Sequence, residues 1–116
     1  MDKTNEKINI NYAECEKEVE ESFDFEFFKA LFDPVRSELL KYIAVYGPKS
    51  IGEIAENFTQ DRSVISRHLD IMYKQGILTK KKESRYTIYE VSGWNIVERF
   101  EETARKLRKM MKDCET

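Results

Sequence analysis

Between Gln60 and Val91 the chain changes its periodicity once, and that switch limits the folds open to it. In "QDRSVISRHLDIMYKQG" the apolar residues Ile65, Leu69 and Met72 recur at steps of four and three, flanked by Val64 and Ile71. This is the spacing of one helix face, read from about Arg62 to Gln75. Gly76 follows in the position just past the last turn, where glycine ends helices. From Ile77 the period becomes two, and "ILTKKK" and "RYTIYEV" read as two strands of a hairpin across Glu83 and Ser84. Glu-Ser is a poor two-residue turn compared with Asn-Gly, which leaves a longer loop open.

Upstream, helix starts are marked by their caps. Asp24 precedes "FEFFKALF", and Asp33 precedes Pro34 at the first position of "PVRSELLKYIAVY", which ends at Gly47 and Pro48. Ser50 with Glu53 three residues on forms a capping box for a short helix reaching about Asn57. A turn at "TQ" or "TQD" then leads into the helix from Arg62. Both ends of the chain carry narrow apolar stripes. In "NEKININYAECEKEVEESFD" the stripe is Ile8, Tyr12, Cys15 and Val19, with Ser22 next in step. In "SGWNIVERFEETARKLRKMMKDC" it is Val97, Phe100, Ala104, Leu107, Met111 and Cys114, at alternating steps of three and four. Seams of this kind suit a partner helix better than a broad core. The expected fold is therefore mainly α with a small β-hairpin. Residues 25–92 read as a winged helix–turn–helix, 1–24 as an acidic N-terminal dimerisation helix, and 93–116 as a C-terminal dimerisation helix.

At 116 residues the chain reads as one domain. It has no apolar run of membrane-spanning length, and "MDKTNEKINI" lacks the apolar stretch of a signal peptide, which points to the cytoplasm. The two cysteines read accordingly as thiols. The formal net charge of -2 hides an uneven distribution. Residues 1–26 hold nine acids and three bases, whereas the remainder holds 17 bases and 13 acids.

Much of that surplus gathers around the helix from Arg62 and the hairpin. Ser63, Ser66, Arg67, Asp70 and Lys74 lie opposite the apolar face, with Gln60 and Arg62 at the helix entrance. Lys80, Lys81, Lys82 and Arg85 surround the hairpin tip, with Glu83 alone against them. A solvated helix face explains the first group by itself. Beside a cationic ribbon it suits a DNA groove, where hydroxyls and helix amides take phosphate and Arg67 reaches a guanine edge. His68, the sole histidine, is grouped with this face as a DNA contact, but its position beside Leu69 favours a half-buried residue hydrogen-bonded at the back of the helix. A metal role would need further ligands. One set of alternate β residues, either Tyr86, Ile88 and Glu90 or Arg85, Thr87, Tyr89 and Val91, must face the packed side.

These segments together resemble the ArsR/SmtB family of winged-helix repressors. The resemblance rests on "FFKALFDPVRSELLKYI", "SIGEIAENF", "SVISRHLDIMYKQGIL" and "KKKESRYTIYEV", and covers roughly Phe27 to Val91. It implies a homodimer built from the first and last helices, bound to a palindromic double-stranded DNA operator and released by an inducer. It implies no metal site here, because the family's thiolate positions carry Ser50, Gly52 and Ala55 and the last helix has no histidine. The family's hairpin often turns on glycine, and Ser84 stands near that place.

Cys15 and Cys114 lie on the seams of the two end helices. As small hydrophobes they need no further role. As a pair across an interface they would form a sensor of oxidants, sulfane sulfur or a soft ion such as Hg(II) or Cu(I). No other cofactor is expected. The nine acids near the N-terminus suit pairing with Arg105, Lys106, Arg108, Lys109 and Lys112 across facing seams. A winged-helix protein–protein adaptor without operator binding is the competing function. An enzyme is disfavoured by the lack of a phosphate loop, ligand cluster or nucleophile elbow.

Overall fold

The computed structural model describes residues 11–115, and it places six helices and three short strands there. Helix α1 spans Tyr12–Ser22, α2 Phe25–Phe32 and α3 Pro34–Tyr46. Strand β1, Lys49–Ser50, leads into α4, Ile51–Ala55, and then α5, Arg62–Lys74. Strands β2, Leu78–Glu83, and β3, Tyr86–Val91, are followed by α6, Gly93–Glu115. Ile8, assigned above to the first seam, lies outside the described residues, as does the side chain of Cys114.

The caps act where the sequence places them. Asp24 accepts from the Phe27 amide at 3.2 Å. Asp33 accepts from both Val35 and Arg36, at 3.0 and 3.1 Å, ahead of Pro34. Ser50 and Glu53 close the capping box in both directions. Of the N-terminal helix expected over residues 1–24, the described part begins at Tyr12. Asn11 has extended backbone and its side chain accepts from the Glu14 amide at 3.1 Å, so it caps a helix that starts at Tyr12. Asparagine side chains compete for backbone amides in this way and are favoured as helix caps.

The hairpin differs by one residue from its sequence reading. Glu83 pairs with Tyr86, so the two-residue turn is Ser84-Arg85, and Ser84 holds φ 59. A positive φ at the first turn position is what a tight hairpin requires, and glycine is the usual choice for it. β3 also pairs with β1, giving a three-stranded antiparallel sheet of order β1-β3-β2. A two-residue strand has no period to show, so β1 was invisible in the sequence.

The core collects apolar residues from α2, α3, α4, α5 and the sheet. Phe27 of α2, Leu39 and Ile43 of α3, Ile54 of α4, Ile65, Leu69 and Met72 of α5, and Ile77 and Leu78 are all buried. Side chains of this size stabilise by about 1.5–3 kcal/mol each when fully buried. Tyr89 completes the core from the sheet, with half-buried Thr87 and Val91 on the same side. Tyr86 and Glu90 face solvent, Ile88 between them is half-buried, and Arg85, expected with the Tyr89 set, is exposed in the turn.

The first helix and the far part of the last lie beyond this core, which α6 reaches through Ile96, Arg99 and Phe100. The radius of gyration is 19.4 Å, against about 13 Å expected for a compact chain of this length. On α6, Trp94 and Met111 are 82% and 60% exposed. Val97 and Phe100 are also exposed, while Leu107 is half-buried. Along α1, Tyr12, Cys15 and Val19 face solvent. α1 and α6 do touch, with Lys106 Nζ donating to the carbonyl of Glu21 at 3.3 Å. The basic side chains of α6 find acids on their own helix: Arg105 and Lys106 reach Glu102, and Lys109 reaches Asp113. The expected matching of α1 acids to α6 bases gives way within the chain to these closer neighbours, three or four residues apart.

Candidate nucleic-acid interface

Helix α5 is oriented by what it buries. Ile65, Leu69 and Met72 point into the core, so the opposite side of the cylinder is fixed in solvent. Ser63, Ser66 and Arg67 are exposed there, with Arg62 exposed and Gln60 half-buried at the entrance. Asp61, the residue before the helix, has extended backbone, and its side chain makes no capping hydrogen bond. The first-turn amides of α5 are thus left to solvent or to an incoming anion. Lys74, at the far end, pairs with Asp70 at 3.1 Å across one turn.

The hairpin presents its cations on both faces. Lys80 and Lys82 lie opposite Tyr89 and Thr87, on the side that faces the core, whereas Lys81 lies opposite Ile88 on the other. All three are exposed. Lys80 Nζ sits 4.3 Å from the centre of the Tyr73 ring, a cation–π contact that joins the ribbon to the outer side of α5. Tyr73 was not singled out from the sequence, since an aromatic near the end of an amphipathic helix carries no signal of its partner seven residues on. Lys81 pairs with Glu83 at 3.2 Å. Arg85, in the turn, donates to Tyr86 Oη at 3.2 Å and overhangs its ring.

His68 is half-buried on the flank of α5 that faces α3. Its Nδ1 lies 3.2 Å from Arg36 Nη1. Burial first, then the Arg36 charge, holds the imidazole below its ordinary pKa of 6.5, while Asp33 pulls the other way. The structure therefore separates His68 from Ser63, Ser66 and Arg67, with which the sequence grouped it. The opposite end of α5 is held by α6: Asn95 Nδ2 donates to the Gly76 carbonyl at 2.6 Å, and Arg99 Nη1 to the Gln75 carbonyl at 3.1 Å. Of the positions that the resemblance matched to thiolates, Ser50 is buried as a cap, and Gly52 and Ala55 are half-buried. Cys15 is exposed on α1.

No helix among the described residues is long and apolar enough to cross a membrane. The family profile for bacterial regulatory proteins of the arsR family matches residues 33–80, from the cap of α3 to the middle of β2. An uncharacterized HTH-type transcriptional regulator of Methanocaldococcus jannaschii is 35% identical over 66 residues, which span 57% of this chain and 74% of the relative. The transcriptional repressor SdpR of Bacillus subtilis is 29% identical over 65 residues, 56% of this chain and 71% of that one. Among solved structures, an ArsR-like transcriptional regulator from Rhodococcus sp. RHA1 superposes with a TM-score of 0.61 at 23% identity, covering 87% of this chain and 86% of that one. The homodimeric winged helix–turn–helix DNA-binding domain of a possible ArsR-family regulator from Mycobacterium bovis does so at 0.58 and 17% identity, covering 92% and 94%. The fold, the matched helix–turn–helix and the extent of its curated relative agree: the chain belongs to the arsR family of transcriptional regulators, a family of regulators and not of enzymes.

Proposed function

We propose that this chain binds double-stranded DNA in a sequence-specific manner as a homodimer on a palindromic operator, and acts as a repressor released by an inducer. The observation that carries the reading is the outward face of α5. Ser63, Ser66 and Arg67 stand together in solvent beside an uncapped helix N-terminus, and a lysine ribbon flanks them. In this reading α5 enters the major groove, where Arg67 reads a base edge and Ser63, Ser66, Gln60 and Arg62 fix the register on phosphate and base. Lys80, Lys81, Lys82 and Arg85 follow the neighbouring backbone and supply affinity that does not depend on sequence.

The dimer follows from the end helices. Val97, Phe100 and Met111 are solvent-facing along α6, and Phe32 is 65% exposed at the end of α2. A second copy would cover such a face, and the M. bovis neighbour is homodimeric. Two copies of α5 would then meet half-sites about one helical turn apart. The repressor role draws support from SdpR, a repressor by name.

A mobility shift against the DNA upstream of the chain's own gene, repeated at rising salt, tests the proposal. Expected is retardation of that duplex that outlasts retardation of an unrelated one as salt increases. No retardation even at low salt would remove it in favour of the protein–protein adaptor.

A further inference from the structure

Arg36 carries a charge that is almost wholly buried, at 9% exposure, in the crevice where α2, α3 and α5 meet. Burying a guanidinium is costly unless each part of its fork finds an acceptor. Nε donates to the Ala30 carbonyl at 2.8 Å and Nη2 to the Lys29 carbonyl at 3.4 Å. Both carbonyls belong to the last turns of α2, where a cation is favoured and the last carbonyls lack helical partners. Ser37 Oγ takes the next one, that of Leu31, at 3.1 Å. Asp33 approaches Nη2 at 3.9 Å. The remaining nitrogen, Nη1, faces His68 Nδ1 at 3.2 Å.

That last contact has only one chemically consistent form. Arginine is a donor at every nitrogen and does not lose its proton, so His68 Nδ1 must accept. The imidazole is then neutral with its hydrogen on Nε2. A proton on Nδ1 would remove the acceptor and set two cations against each other.

We propose that Arg36 is a positioning residue for α5, acting through neutral His68, and that protonation of His68 breaks this tie and loosens the DNA-facing helix from α2 and α3. The charged groups around the imidazole come from both elements packed on it. Arg36 and Asp33 belong to α3, the first opposing protonation and the second favouring it, and Arg67 on α5 opposes it. The crevice around Arg36 is lined further by Glu26, Lys29 and Lys74, one acid against two bases. Burial opposes the charged imidazole as well, so the sum favours the neutral ring at neutral pH. On acidification the helix loses this polar tie to α3, while Ile65, Leu69 and Met72 stay buried in the core and Arg99 and Asn95 still hold its far end. The loosening falls on the first half of α5, which carries Ser63, Ser66 and Arg67, because the bonds from α6 act only at its C-terminal end.

The consequence for DNA rests on the function proposed above, but the tie itself can be read without DNA. His68 is the sole histidine in the chain, so its ring nitrogens can be followed by NMR in the untagged protein without ambiguity. At about pH 7.5 the expected state is the Nε2–H tautomer. On acidification the ring should titrate below 6.5, and the amide signals of Arg62–Asp70 and the Arg36 Nε–H should shift with the same midpoint. His68→Asn keeps an acceptor where Nδ1 stood and cannot take the proton, so those amides should stay in place. Arg36→Gln should raise the ring's midpoint; if that variant does not fold, His68→Asn decides alone. An Nδ1–H ring, a titration that leaves the α5 amides unmoved, or the same transition in His68→Asn would overturn the proposal. With the upstream duplex, the wild type should lose on the order of tenfold more affinity than His68→Asn between about pH 7.5 and pH 5.5. Equal losses would overturn the link to DNA, whereas no binding at any pH would count against the DNA reading and leave the helix tie to the NMR result.

Discussion

Arg99, on the last helix, donates through Nη1 to the main-chain carbonyl of Gln75, the residue that ends α5. The same guanidinium pairs with Asp24, the cap of α2, and lies 4.3 Å from the centre of the Phe27 ring. Phe27 in turn meets Phe28 and Phe100 edge-on. One side chain thus joins the α6 seam, the start of α2 and the end of α5. Since α5 carries the outward face with Ser63, Ser66 and Arg67, its placement depends on contacts made from both ends of the chain.

Arg99→Ala should therefore destabilise the fold by about 1–3 kcal/mol through the lost carbonyl bond and ring contact. The ion pair adds little, because Asp24 is well exposed and solvent screens it. Urea unfolding followed by circular dichroism would measure the shift, and a loss below about 0.5 kcal/mol would show that the tie does not matter to stability.

Gly76→Ala tests the junction between α5 and β2. Gly76 holds φ 78, and an added Cβ there would run into Asn95 Nδ2. Asn95 must stay close because it donates to the Gly76 carbonyl. The left-handed backbone and the clash together should cost about 1–3 kcal/mol, seen as a lower thermal midpoint.

Asp33 gives the fold an acid limit. The Arg36 amide bond, and then the Arg36 charge and the Val35 amide, hold its carboxyl below the ordinary 3.8, against the opposing effect of burial. The unfolded chain consequently takes up that proton first as pH falls. The stability that Asp33 contributes is fully present above 3.8 and is lost as pH drops below 3.8 toward the folded value. Asp33→Asn retains a capping oxygen but cannot titrate, so its unfolding free energy should fall less steeply over that range than the wild type's.

Arg67 and Lys81 should fail differently on DNA. Arg67→Ala should cost roughly 1–3 kcal/mol on the preferred operator and relax its specificity. Lys81→Ala should weaken every sequence about equally and reduce the salt slope by about one. Titrations of matched and mismatched duplexes at several salt concentrations separate the two, and identical behaviour would contradict the assigned roles.

The α6 seam predicts assembly. Val97 is exposed, so Val97→Glu should leave the fold intact while placing a charge where a second copy would pack. Sedimentation equilibrium should show a dimer for the wild type and a monomer for the variant. A wild type that stays monomeric would remove the homodimer.

The local elements were legible because their causes are local. Asp24, Asp33 with Pro34, and Ser50 with Glu53 each act within three residues, and Gly76 ends α5 where its missing Cβ allows a positive φ. The apolar steps Ile65, Leu69 and Met72 dictated which side of α5 faces the core, and so which side is left for Ser63, Ser66 and Arg67. Three features needed the fold. Strand β1 exists only because β3 lies beside Lys49 and Ser50. The turn settled on Ser84-Arg85 through the register of the whole hairpin, in which Lys80 pairs with Tyr89 and Leu78 with Val91. And His68 turned toward Arg36, 32 residues earlier, rather than toward solvent with its neighbours. Periodicity and capping are set by residues a turn apart, whereas a buried guanidinium takes its acceptors from wherever the packed chain brings them.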